Sequence, residues 1–117
     1  MYKVKQVQDI SVVGVDGELE RENMRDFENL LDSLSMRNQR NIVLNLENLK
    51  HLDYKLVQSI ADRIIEFQCD GGDLKMANAN RYVRQIMQAF GLEEEMYASV
   101  EDALLSFLGS SHEGDLQ

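Results

Sequence analysis

The chain lacks several features that would place it in a class at once. Its 117 residues include one cysteine, no proline and no tryptophan. Cys69 therefore cannot form an internal disulfide, which is typical of a reducing cytoplasm. No run of eighteen or more apolar residues exists, so direct membrane insertion is not expected. The first residues, MYKVKQVQ, contain no apolar secretory segment, and we predict a cytoplasmic location.

Basic residues are scarce relative to acidic ones. The chain has 12 lysines and arginines against 21 aspartates and glutamates, a net charge of -9. This balance disfavours nucleic-acid binding, because phosphate backbones attract basic surfaces. A positively charged protein surface is a better partner for such a chain. The alternative is that the charge only keeps the domain soluble.

Motifs for catalysis, metals and cofactors are missing as well. Neither a G-x-x-x-x-G-K-[ST] phosphate loop nor a G-x-G-x-x-G pattern occurs. The histidines, His51 and His112, and Cys69 are too few and too far apart for a metal site. A Cys69–His51 nucleophile and base is disfavoured, because Cys69 ends a predicted helix, where the dipole opposes a thiolate. We predict a partly buried structural cysteine, no cofactor and no enzyme activity.

The chain does contain a clear alternation of two hydrophobic periods. Apolar segments predict strands, and apolar residues at i, i+3 and i+4 predict helices, the first beginning at Glu20. Apolar on nearly every residue, the strand at 41–46 is predicted to lie in the middle of the sheet. The order β-β-α-β-α-β-α-β-α predicts one α/β domain at 1–108, a mixed sheet with helices packed against it. Residues 109–117 carry no apolar stripe, which predicts a disordered tail. The predicted strands are 2–7, 10–15, 41–46, 73–77 and about 95–98.

The carboxyl end of the third predicted strand is the most informative stretch. After it, Asp53-Tyr54-Lys55-Leu56 leads straight into a helix with no glycine or proline between. Such strand ends usually carry the working groups of α/β proteins. Asp53 is predicted to cap the helix start, and Leu56 to continue its core. Tyr54 is either an exposed interface anchor or a ring folded over the adjacent loop. Lys55 is mildly unfavourable beside a helix start, which leaves a functional role open.

Several motifs, taken in order, resemble the STAS domain of bacterial anti-sigma factor antagonists and anion transporter tails. The resemblance covers residues 1 to about 108. Gly17-Glu18-Leu19-Glu20 is similar to the family's G-E-L-D, and residues 42–46 with Leu52-Asp53 resemble its central strand and the aspartate after it. The later matches are Gly71-Gly72-Asp73-Leu74-Lys75-Met76, Phe90-Gly91-Leu92 and Ser99-Val100-Glu101-Asp102-Ala103-Leu104.

The chain departs from the family at its signature. Family members carry D-S-S-G or D-S-T-G, and a partner kinase phosphorylates the first serine. Here Tyr54 stands at that serine, Lys55 at the next hydroxyl and Leu56 at the glycine. A phenol reaches further than a serine hydroxyl and has a different acidity. We therefore predict no phosphorylation at the usual position.

The resemblance implies a non-catalytic protein-interaction module in bacterial signalling or transcription control. Its partner would be a regulatory protein of the GHKL-type serine kinase or anti-sigma class. The alternative is a subunit or scaffold of a transporter, lipid-transport or sensory complex, with or without a small-molecule ligand; an enzyme ranks far below both. The expected partner-binding residues are Asp53, Tyr54, Lys55, Leu56, Gly17, Glu18 and Asn23, with Gly17 needed mainly for its backbone conformation.

Overall fold

A five-stranded mixed sheet organises the molecule, which is described here from a computed structural model. The backbone is described for residues 2–116 and the side chains for residues 2–108. The sheet order is β1-β2-β4-β6-β7, with β1 antiparallel to β2 and the other neighbours parallel. Its strands are β1 (Tyr2–Val7), β2 (Ile10–Val15), β4 (Asn41–Asn45), β6 (Asp73–Ala77) and β7 (Met96–Tyr97), and a separate two-stranded sheet pairs β3 (Gly17–Leu19) with β5 (Leu49–Leu52).

Four helices cover the two faces of the large sheet unequally. They are α1 (Met24–Met36), α2 (Val57–Cys69), α3 (Arg81–Ala89) and α4 (Val100–Leu116). Apolar residues of α1, α2 and α3 share one large core with the sheet residues that point to their side. A smaller cluster on the opposite face joins Ile10, Val43 and Ala77 to Ala103 of α4. Because side chains alternate along a strand, β4 contributes Ile42 and Leu44 to the large core and Val43 to the small one.

The structure confirms the predicted sheet. The strand after α1 occupies the centre of the sheet order, as its continuous apolar run indicated. Gly71-Gly72 ends α2 and leads into β6, as predicted. A side chain at Gly72 would overlap the backbone of Arg40, so this position requires a glycine.

Several predicted boundaries were wrong. The first helix begins at Met24 rather than Glu20, because residues 20–23 form a turn closed by a hydrogen bond from the Asn23 amide to the Glu20 carbonyl (3.2 Å). Glu93–Glu95 form a 3-10 helix, so the last strand is limited to Met96–Tyr97. The predicted disorder of residues 109–117 falls on residues whose side chains lie outside the described part, and it stays a prediction.

The small β3–β5 sheet was missed altogether. Its strands have three and four residues, too short for a hydrophobic period to show, and the chain between them contains α1 and β4. The true order therefore has two more strands than the predicted one. This sheet matters because it joins the two predicted binding segments side by side.

Candidate functional site

Two chain segments meet at one end of the molecule, and together they form what we call the tip: residues 17–23 and residues 51–56. Parallel pairing of β3 with β5 aligns Glu18 with His51 and Leu19 with Leu52. The Asp53 amide then donates to the Leu19 carbonyl at 3.0 Å. Backbone hydrogen bonds thus bring the predicted binding residues of both segments together.

Asp53 caps the turn that follows, as predicted. Its Oδ1 accepts a hydrogen bond from the Lys55 amide at 3.0 Å, and its own backbone is extended. The capped turn is a 3-10 helix, Tyr54–Leu56, that runs directly into α2. A side-chain acceptor at this position satisfies an amide that has no partner inside the helix. Asp53 therefore sets the conformation in which Tyr54 and Lys55 are presented.

Gly17 and Asn23 hold the other segment in shape. Gly17 has a φ of 86°, a left-handed conformation that favours glycine, and its amide donates to the Asn48 carbonyl at 2.8 Å. The Asn23 side chain accepts from the Glu20 amide (2.8 Å) and donates to the Glu18 carbonyl (2.7 Å). Both residues therefore fix the shape of this segment, and this role does not depend on direct contact with a partner.

The three residues at the signature positions differ in exposure. Tyr54 is 60% exposed, so its ring is presented to solvent rather than folded away. Lys55 is also exposed. Leu56 is half-buried and packs against the large core, as its predicted structural role requires. Tyr54 and Lys55 are thus the signature residues that are free to touch a partner.

Sequence reasoning missed an aromatic pair beside them. The rings of His51 and Tyr82 stack with centroids 5.9 Å apart and an interplanar angle of 16°. The Tyr82 hydroxyl lies 3.5 Å from His51 Nδ1 and donates to the Leu52 carbonyl at 3.4 Å. Asn80 caps α3 and also donates to the Leu49 carbonyl at 3.1 Å. The one available signal was that α3 begins just beyond the carboxyl end of β6, at the same edge of the sheet.

Like charges crowd one side of the tip. The pKa of Glu20 is raised above its ordinary value, first by a hydrogen bond with the Glu18 carboxyl and by the negative charge of Glu18, and then by desolvation and by Glu22. Arg21 lies in the same segment, yet among the described residues every ion pair involves Arg63 of α2. The carboxylates of this segment are therefore not neutralised within the described part of the chain.

The arrangement does not support the Cys69–His51 pair. Cys69 ends α2, a helix of 13 residues and so about 20 Å long, whereas His51 precedes its start. Cys69 is exposed, so the predicted partial burial was wrong, because the side chain lies at the helix end beyond the apolar stripe. The two side chains cannot act on one substrate atom.

The described residues give little support for a metal site, a ligand pocket at the tip or a membrane-spanning helix. Within the described residues, no group of three or more histidine, cysteine or acidic side chains could hold a metal ion. A cavity of about 250 Å³ beside α3 and β7 has Arg84, Gln88 and Glu93 among its lining residues and includes no tip residue. None of the helices in the described part is both long and apolar enough to cross a membrane.

Comparison with known proteins identifies the family. The family model described as STAS domain matches residues 1–103. The chain belongs to the STAS domain family. The predicted resemblance and the predicted fold class are thereby confirmed. None of the curated proteins matches the sequence.

Solved structures share the fold at low sequence identity. The anti-sigma factor antagonist SpoIIAA in its unphosphorylated form is 22% identical with a TM-score of 0.80, over 93% of this chain and 97% of that one. A putative anti-sigma factor antagonist from Thermotoga maritima is 19% identical with a TM-score of 0.82, over 90% and 92%. The murine anion transporter Slc26a9 is 15% identical with a TM-score of 0.71, over 86% of this chain but 18% of the transporter. At these identities the similarity shows the fold alone.

Proposed function

We propose that this STAS domain is a non-catalytic binding module of the anti-sigma antagonist type, which docks through its tip on a regulatory protein of the kinase or anti-sigma class. Membership of the STAS family and similarity to antagonist structures support the class of function. The observation that carries the proposal is the capped turn that presents Tyr54 and Lys55 to solvent. An exposed tyrosine offers apolar area and a hydroxyl at little entropic cost, as interface anchors do.

The proposed module works without the serine phosphorylation switch that is usual in the family. Phosphorylation adds close to two negative charges at a docking surface and can thereby release a partner. Tyr54 replaces the phosphorylated serine, and the nearby serine, Ser59, is half-buried within α2. We therefore expect binding that is constitutive with respect to serine phosphorylation at the tip.

The test begins with the partner. Tagged protein expressed in its host is purified, a co-eluting protein is identified, and its Kd is measured by titration with purified components. Tyr54→Ala and Lys55→Glu should each weaken binding by more than about 1 kcal/mol, which is at least fivefold in Kd. Met36→Ala is the matched control, because Met36 is 85% exposed and lies at the end of α1. An unchanged Kd in both tip variants would contradict the proposed interface.

Mass spectrometry tests the second half of the proposal. After incubation with ATP and a captured kinase partner, the intact mass should stay unshifted. A single added phosphate on Ser59 would contradict the loss of the switch while leaving the binding interface intact.

A second candidate function is a subunit of a transporter or sensory complex. It is favoured by the fold similarity to a part of Slc26a9. Co-purification of membrane transport components instead of a kinase or anti-sigma protein would favour it.

A further inference from the structure

We propose that the groove between α3 and β7 binds a small zwitterion of dipeptide size, with its carboxylate at Arg84 and its ammonium group at Glu93. This groove is the cavity of about 250 Å³ that is lined by residues of α3, of the loop before α3 and of the segment around β7. It includes no tip residue. The inference therefore does not depend on the proposed function, and the failure of either leaves the other standing.

The groove runs along the outer edge of β7. Successive side chains of a strand point to opposite faces, and accordingly Met96 packs against the large core and Tyr97 against the small cluster. A cavity that touches Met96, Tyr97 and Ala98 together therefore faces the edge of the strand rather than one face of the sheet. The inner edge belongs to β6, and there the Asn78 amide donates to the Tyr97 carbonyl at 3.2 Å. An outer edge of this kind presents backbone amides and carbonyls to a ligand.

α3 forms the opposite wall of the groove. Arg84 and Gln88 are four residues apart, so they lie on one face of the helix and about 6 Å apart along its axis. Gln88 Nε2 donates to Glu93 Oε1 at 3.4 Å, which places the Glu93 carboxylate at the Gln88 end. The positive and the negative group therefore lie at different ends of the groove, about one helical turn apart.

The two charges do not neutralise each other. Among the described residues every ion pair involves Arg63, so the Arg84 guanidinium and the Glu93 carboxylate are not in contact. Both side chains are exposed and line the groove. A guanidinium matches the planar geometry of a carboxylate, and a carboxylate accepts charge-assisted hydrogen bonds from an ammonium group. A ligand that carries both charges would satisfy both ends at once.

The distance between the ends selects the size of the ligand. One residue of extended chain spans about 3.3 Å, so a dipeptide covers the turn of about 6 Å between Arg84 and Gln88, and a single α-amino acid does not. The peptide group of the ligand would lie beside the outer edge of β7, where backbone hydrogen bonds form as in strand addition. Ala79 and Met96 give the groove an apolar wall for a ligand side chain. A volume of about 250 Å³ is below that of pockets for drug-sized molecules.

NMR titration of the isotope-labelled protein with glycyl-leucine tests binding and its location. We expect a Kd on the order of 1 mM, because exposed ion pairs each contribute little. The backbone amides of Tyr97 and Ala98 and the side-chain amide of Gln88 should shift, since they line the groove. Glycine, which is too short to reach both ends, should bind more weakly. No shift of the groove signals at the highest soluble concentration of the dipeptide overturns the proposal, and so does glycine binding as tightly as the dipeptide.

Charge removal tests the two ends. Arg84→Gln and Glu93→Gln should each weaken the binding of glycyl-leucine about fivefold, because each removes a charge-assisted hydrogen bond. Arg81→Gln and Glu94→Gln are the matched controls: they make the same charge changes at exposed neighbours that do not line the groove. Both controls should leave the Kd within about twofold of the wild type. An unchanged Kd in both groove variants contradicts the proposal.

Capped probes assign each charge of the ligand to its residue. Glycyl-leucine amide lacks the carboxylate and N-acetyl-glycyl-leucine lacks the ammonium group, so each should bind the wild type about fivefold more weakly than glycyl-leucine. Arg84→Gln should no longer distinguish glycyl-leucine from its amide, and Glu93→Gln should no longer distinguish it from its acetylated form, because each variant has already lost that contact. Equal binding of all three probes by the wild type, or the opposite pairing of probe and variant, overturns the assignment.

Discussion

At the scale of single residues, Tyr2 has a polar group that its surroundings leave unsatisfied. Its hydroxyl oxygen is buried without a hydrogen-bond partner in the described part of the chain, while its ring lies 6.1 Å from that of Phe27. Burial, and then the charge of Asp26, raises the pKa of Tyr2 above 10.0. A buried group of this kind costs stability that the ring alone would not.

Tyr2→Phe should therefore raise the free energy of unfolding by about 1 kcal/mol, as measured by urea denaturation at pH 7. The raised pKa fixes the sign of the pH dependence. The native state resists ionisation, so the wild type should lose stability as pH rises above 10 and Tyr2→Phe should lose less. Tyr82→Phe is the control, since the Tyr82 hydroxyl is hydrogen-bonded and its removal should not stabilise. A less stable Tyr2→Phe protein would refute the assignment.

The tip shows which residue roles a sequence can reveal. The Asp53 cap was predictable because its hydrogen bond spans two residues and follows from local chemistry. The stack of His51 on Tyr82 joins residues 31 apart, and it depends on where α3 begins relative to β5. Asn23 was placed at the tip by resemblance, whereas its double hydrogen bond is visible only after the turn at 20–23 has formed.

At the scale of elements, the contact of α4 with the sheet contains a buried cation. Lys75 of β6 is 7% exposed, and its Nζ donates to Ser106 Oγ at 2.6 Å. The same ammonium lies 4.1 Å from the centroid of the Phe107 ring and 5.4 Å from that of Tyr97. A buried ammonium is tolerated only where such contacts replace water.

A double-mutant cycle tests this contact. Ser106→Ala should cost about 1–2 kcal/mol of unfolding free energy, because it removes an acceptor from a buried charge. In the Lys75→Met background the same change should cost much less, since no ammonium is left to satisfy. Equal costs in both backgrounds, measured by thermal or urea unfolding, would show that the Lys75 to Ser106 bond contributes nothing.

Short elements explain most of what the sequence could not reveal about the fold. Strands β1, β2, β4 and β6 of the large sheet and the four helices carry enough apolar residues to show their period, whereas β7 has two residues. β3 and β5 have three and four residues and pair across α1 and β4. Their existence depends on tertiary contacts, which a local pattern does not record.

At the scale of the whole molecule, the two apolar clusters differ greatly in size. The large one joins the sheet to three helices, whereas the small one rests on Ile10, Val43, Ala77 and Ala103 as its buried members. Less buried apolar area means a lower free energy of local opening. We infer that α4 is held less firmly than β4, the central strand of the large sheet.

Native-state hydrogen exchange should show this difference. Amides of residues 103–108 in α4 should exchange through a partial opening, at a lower free energy than amides of β4, whose Ile42, Val43 and Leu44 are almost fully buried. Mass spectrometry of peptides covering both regions provides the measurement. Exchange of both regions at the same free energy, equal to that of global unfolding, would rule out a separate opening of α4.

The way in which the turn at 54–56 is held also has a practical consequence. Its shape depends on the Asp53 carboxylate, on backbone hydrogen bonds and on the packing of Leu56, and on neither the Tyr54 nor the Lys55 side chain. Positions 54 and 55 can therefore be randomised, with Asp53 and Leu56 kept, to give a library of displayed loops on one stable framework. A chain free of disulfides and of proline folds without oxidation or proline isomerisation, which suits selection of new binders inside cells.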